Sequence, residues 1–162
     1  MRLSGHETMT RVLIVACGNP LRCDDGLAWR AAEELRRRNW PQEIEIIVQH
    51  QLTPELAPAI SQVGRVLFLD AARNSHPGEI RCDPVLPQQP SGTLTHNFLP
   101  AGILSMAQEL YGNAPPAYVI SIDGECFDHG ETISAAVEAA LPGFVDLIVR
   151  LVEEVLRTCE QL

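Results

Sequence analysis

The chain has 162 residues, of which 46% are hydrophobic and 20% charged, with a formal net charge of −9. That is the size and balance of one globular domain around a single core. An acidic chain without a basic, aromatic-interleaved stripe argues against a phosphate-backbone partner, and no apolar run approaches the roughly 20 residues of a membrane span.

Residues 1–9 carry no apolar stretch of the kind a secretory leader needs, and they read as a flexible lead-in to a domain that occupies 1–162. The five cysteines, Cys17, Cys23, Cys82, Cys126 and Cys159, form no CxxC pair. Reduced thiols in a cytoplasmic protein are expected, with Cys17 and Cys23 serving as small buried hydrophobes or as thiolate ligands.

Arg11-Val12-Leu13-Ile14-Val15-Ala16 is a continuous apolar run that ends in Cys17-Gly18-Asn19-Pro20, which predicts a strand buried on both faces and then a turn. Asp24 or Asp25 opens a helix in which Leu27, Ala28, Ala31, Ala32 and Leu35 make the apolar stripe and Arg30, Glu33, Glu34 and Arg37 the wet face. The run Arg36-Arg37-Arg38 favours the negative end of that helix, and Asn39-Trp40-Pro41 stops it. A second strand is predicted at Glu45–Val48. Thr53 as N-cap, Pro54 and Glu55 start a helix that ends by Gly64. Val66–Asp70 is a third strand, apolar until its last residue.

Prolines 77, 84, 87 and 90 punctuate 71–95, predicting loop with one short edge strand near Glu79–Cys82. The next helix begins near Phe98–Ala101, with Leu99, Ile103, Leu104, Ala107 and Leu110 inward, and ends at Tyr111-Gly112-Asn113. Ala117–Ile122 is a strand with Asp123-Gly124-Glu125 as its exit. A helical stretch follows from about Thr132; Pro142 splits it or starts a new helix, and Val145, Ile148, Val149, Val152, Val155 and Leu156 line its inner face. Strand and helix alternate, so the class is α/β with a mainly parallel sheet.

In such sheets ligands bind beyond the carboxyl ends of the strands. Three features fall there: the turn Gly18–Gly26, Asp70 and His96. The turn lacks both GxGxxG and GxxxxGK[ST], and its adjacent carboxylates would repel a phosphate while favouring a cation. One of Asp24 and Asp25 is expected to cap the helix. Asp70 either ligates or accepts backbone hydrogen bonds in the next turn; His96 either ligates or packs. Two carboxylates and an imidazole suit a divalent transition metal. His129, in Asp128-His129-Gly130, reads as a surface residue.

Gly18-Asn19-Pro20-Leu21-Arg22-Cys23-Asp24-Asp25-Gly26-Leu27-Ala28 resembles the signature turn of the [NiFe] hydrogenase maturation proteases, in which members commonly read GN-x-L-x-x-D-(D/E)-G-x-G. The resemblance continues through Leu52-Thr53-Pro54-Glu55-Leu56, Phe68-Leu69-Asp70-Ala71, Thr95-His96-Asn97-Phe98-Leu99-Pro100 and Gly124-Glu125, covering roughly 11–157. It implies a three-layer α/β/α sandwich with a twisted sheet of about five strands. It also implies an endopeptidase that removes the C-terminal extension of a hydrogenase large-subunit precursor after nickel insertion. The family's metal residues fall on Asp25, Asp70 and His96. Ala28 departs from the pattern, where a glycine is usual. His50 stands where some relatives have an acidic, glycine-rich segment.

No GxSxG elbow is present, and Cys17 and Cys23 have no local cue to a partnering base, so a side-chain nucleophile is not expected. Nickel carried by the precursor is expected to dock on Asp25, Asp70 and His96, where it polarises the scissile carbonyl or activates water; alternatively Asp24 or Asp25 serves as general base, and Gly18, Asn19 and His50 are the expected substrate contacts. A monomer is expected. The competing readings are a metal-dependent small-molecule hydrolase and a nickel-checkpoint chaperone that binds the precursor without cutting it.

Overall fold

In the computed structural model, described over residues 11–41, 43–89 and 98–159, strands and helices alternate as the hydrophobic pattern requires. Strands β1 (Val12–Cys17), β2 (Ile44–Gln49), β3 (Arg65–Ala72), β4 (Ile80–Val85) and β5 (Ala117–Asp123) form one sheet in the order β2-β1-β3-β5-β4. All pairs are parallel except β4–β5, which is antiparallel. Pro84 lies in β4, at the sheet edge, where a missing N–H need not break a ladder.

The alternating side chains of β1 divide the core into two layers. Val12, Ile14 and Ala16 pack with α1 (Leu27–Arg36) and α4 (Ala135–Cys159). Leu13 and Val15 pack with α2 (Leu56–Ser61) and α3 (Pro100–Tyr111) on the other face. The result is a three-layer α/β/α sandwich. β1 neighbours β2 on one side and β3 on the other, so the winding direction reverses at β1. That reversal opens a crevice at the carboxyl ends of β1 and β3.

Several expectations are corrected. β3 runs two residues past Asp70, which therefore lies within the strand opposite Ser121 rather than closing it. Thr53 is not the N-cap of α2; Glu55 occupies that position after a turn in which Leu56 N–H donates to Thr53 O. Leu99 and Leu110 were expected inward, but both are exposed. Leu99 is the extended N-cap of α3, whose buried stripe is Ile103, Leu104 and Ala107.

Pro142 neither splits nor starts a helix. α4 is continuous across it. The proline is on the wet side, while Val137, Leu141, Phe144, Val145, Ile148 and Val152 bury one stripe through both halves. That burial offsets the lost backbone bond. Gly112, with φ +77, closes α3 in the left-handed conformation that glycine adopts readily.

Candidate active site at the carboxyl edge of β1 and β3

The turn after β1 folds back on itself. Gly18 has φ +144, and a Cβ there would lie 2.0 Å from the Asp25 carbonyl oxygen, so only glycine fits. Asn19 N–H donates to Asp25 Oδ2 at 2.8 Å, and Asn19 Oδ1 accepts from Leu21 N–H at 2.9 Å. These bonds hold the half-buried Asp25 side chain over the end of β1. A single 3-10 turn, Cys23–Gly26, then leads into α1. Cys23, at φ +47, is the one non-glycine residue with positive φ among the described residues.

Neither aspartate caps the helix through its side chain. Asp24 is fully buried and points the other way, into the loop after β5. Its carboxylate accepts from Glu125 N–H (2.7 Å), Cys126 N–H (3.0 Å), Ser134 N–H (2.7 Å) and Ser134 Oγ (2.8 Å). Burial alone would raise its pKa, but the N–H groups of Cys126, Ser134 and Glu125 and the Ser134 hydroxyl outweigh it and hold the carboxyl below the usual range. Asp24, a candidate general base from the sequence, is thus a structural anchor that ties the turn to residues 124–134.

Asp70 supplies the second carboxylate of the crevice. Ala71 N–H donates to Asp70 Oδ1 at 2.8 Å. Burial pushes the Asp70 carboxyl up to about 6; the Ala71 bond opposes this and the neighbouring Asp25 charge adds to it. Cys17, at the end of β1, is pushed up to about 11 by burial, then by Asp70, then by Asp25. Asp25, Asp70 and Cys17 therefore form one electrostatic cluster in which the thiol is neutral at physiological pH and so a poor nucleophile or ligand.

His50 reaches the same edge by an indirect route. Trp29 Nε1–H donates to Gly18 O at 2.8 Å, and the Trp29 ring meets the exposed His50 ring edge-on, with centroids 5.1 Å apart. Gly18 and Asn19 lie in the turn, and His129 is exposed in the loop after β5. His96 lies outside the described residues.

Trp29 and Ser134 were not legible as site residues. Trp29 sits on α1 beside the apolar stripe and reads as packing; its role depends on the carbonyl that Gly18 presents. Ser134 is 110 residues from the aspartate it binds.

Two carboxylates lie at the switch point, and burial together with the Asp25 charge disfavours the ionised form of Asp70. A divalent ion between them would relieve both penalties. Asp25 and Asp70 are the described residues able to hold it.

The arrangement defines an open, doubly wound α/β sheet with a carboxylate site at its reversal point. No family model and no curated protein matches the chain. Solved structures do. The hydrogenase maturating endopeptidase HybD from E. coli aligns with a TM-score of 0.75 at 20% identity, over 89% of this chain and 93% of that one. The [NiFe] hydrogenase maturation protease HycI from Thermococcus kodakarensis KOD1 aligns at 0.70 and 21%, over 91% and 95%. The hydrogenase 2 maturation peptidase from Thaumarchaeota archaeon SCGC_AB-539-E09 aligns at 0.66 and 22%, over 88% and 98%. The chain shares the fold of these endopeptidases across nearly its full length.

Proposed function

We propose that the protein is an endopeptidase that removes the C-terminal extension of a [NiFe] hydrogenase large-subunit precursor after nickel insertion, acting as a cytoplasmic monomer. The observation that carries this reading is the Asp25–Asp70 pair at the sheet reversal, on a fold shared with solved maturation endopeptidases.

In this reading the nickel belongs to the substrate. The loaded precursor presents it to Asp25 and Asp70, and to His96 by the resemblance of Thr95–Pro100. Burial and the neighbouring Asp25 charge disfavour a bare negative charge on Asp70, a penalty that a divalent ion relieves in place of a proton. An empty precursor gains nothing from the two carboxylates, which supplies the checkpoint. A metal ion near the scissile bond polarises its carbonyl or activates water. Asp25 is the general base of the scheme, because Asp24 is buried and fully engaged. Gly18 and Asn19 line the turn that the substrate meets, with His50 at the rim.

Asp25→Asn, Asp70→Asn and His96→Ala, each assayed on nickel-loaded precursor, test the assignment. Each is expected to lower cleavage on the order of a hundredfold or more, the range of a lost general base or charge-stabilising group. Full activity in all three would sink it.

A further inference from the structure

β5 ends in Asp123, opposite Ala72, two register steps beyond the Asp70–Ser121 pair. The turn after β3 folds back over this aspartate. Gly78 N–H donates to Asp123 O at 2.8 Å, Asp123 N–H to Glu79 O at 2.9 Å, and Glu79 N–H to His76 O at 3.0 Å. Together these bonds bring a ring nitrogen of His76 and carboxylate oxygens of Glu79 and Asp123 within 4.8 Å of one another. Asp123 is fully buried, whereas His76 and Glu79 are exposed.

Beyond His76 itself, whose Nδ1 lies 3.7 Å from Glu79 Oε2, one cation among the described residues faces the cluster. Arg81 is the nearby cation. Its Nε lies 3.4 Å from Glu79 Oε1, and its Nη2 lies 3.5 Å from Glu79 Oε2 and 4.0 Å from Asp123 Oδ2. Nε is nonetheless buried without a hydrogen-bond partner. A guanidinium that serves a structural ion pair makes short, directed, often paired bonds to carboxylate. This one is held loosely, with a donor orphaned against the carboxylates. On Asp123, Oδ1 accepts from Asn74 Nδ2 at 2.8 Å, but Oδ2 receives only a long 3.4 Å bond from His76 N–H. Oδ2 therefore keeps lone-pair capacity on the cluster side. Ser75 Oγ, 3.2 Å from His76 Nδ1, is a hydroxyl that can rotate away.

We infer that His76, Glu79 and Asp123 form a second cation site, for a divalent first-row transition metal such as zinc or nickel. One imidazole and two carboxylates suit such an ion, and water fills the remaining positions. Arg81 is the competitor that metal entry displaces. The site shares no ligand with the Asp25–Asp70 pair and does not depend on the proposed protease activity.

An untagged full-length Asp25→Asn, Asp70→Asn double variant isolates the site, and calorimetric titration with zinc and then nickel reads it. One saturable equivalent is expected. Adding His76→Ala should weaken binding at least about tenfold. Adding Arg81→Gln should tighten it, because the competing charge is gone; a purely structural ion-pair network predicts no such gain. In the wild-type chain the His76 ring resonances must shift or broaden on zinc addition, a readout that does not require the double variant to fold. Absence of saturable binding, a His76→Ala affinity equal to its parent's, an Arg81→Gln affinity no tighter than its parent's, or unmoved His76 resonances would overturn the assignment.

Discussion

Asp70→Asn is expected to make the metal-free protein more stable at neutral pH while abolishing processing. Burial, helped by the Asp25 charge, holds the Asp70 carboxyl at about 6 in the folded chain, against roughly 3.9 in an unfolded one. A folded-state pKa above the unfolded value means that the folded protein keeps a proton the unfolded chain has released. The associated stability is complete below pH ~4, falls as pH rises, and is gone once pH passes about 6. The interval corresponds to about 3 kcal/mol, which screening at a partly exposed group lowers to about 2 kcal/mol. Asparagine retains an oxygen for the Ala71 N–H at 2.8 Å and never ionises. The variant should gain about 2 kcal/mol at pH 8, or roughly 4–8 °C in Tm, and nothing at pH 4. Urea denaturation of both proteins across pH 4–8 measures the difference. A variant equal to or weaker than wild type at pH 8, or a gain independent of pH, would refute the reasoning. A site residue that costs stability is what a function-bearing carboxylate should look like.

Asp24→Asn should behave oppositely. Its carboxylate accepts four hydrogen bonds and its pKa is held low, so its contribution is present above pH ~4 and fades in acid. A loss of about 3 kcal/mol at pH 7, shrinking toward pH 3, is expected from denaturation curves; a loss under about 1 kcal/mol would contradict the anchor role. Pro142→Ala should raise stability by about 1–3 kcal/mol, since the exposed residue lies within a continuous helix and alanine restores a backbone donor. Destabilisation would mean that the ring packs in a way the burial does not indicate. Cys17, held near 11 by burial and two carboxylates, should be alkylated slowly by iodoacetamide at pH 7.5 in the folded chain; rapid labelling, located by peptide mass, would disprove the protected thiol.

The parts of the fold that were readable in the sequence are those governed by local periodicity. Val12–Ala16 could only be a doubly buried strand, and the α1 stripe Leu27, Ala28, Ala31, Ala32 and Leu35 is buried in full. Gly18 marked a turn, Asp70 stood out as a carboxylate following an apolar run, and Asp25 as one of two adjacent carboxylates in the turn. What stayed hidden depends on distant chain. Asp24 looked like a helix cap because its true donors lie 101–110 residues away. Leu99 and Leu110 fit the helical period, yet α3 buries a single stripe, and among the described residues no layer lies beyond it. Pro142 breaks helices by a local rule that the burial of Leu141, Phe144 and Val145 overrides. Asp123 carried the same signal as Asp70, an acid closing an apolar strand, but its partners His76 and Glu79 sit in a proline- and glycine-bearing turn with no periodicity to read.

The central claim is tested most directly by intact-mass spectrometry of a hydrogenase large-subunit precursor from the same source, nickel-loaded and nickel-free, after incubation with this protein. Loss of one C-terminal peptide from the nickel-loaded form alone is the predicted result. An unchanged mass in both forms, or equal cleavage with and without nickel, would contradict it.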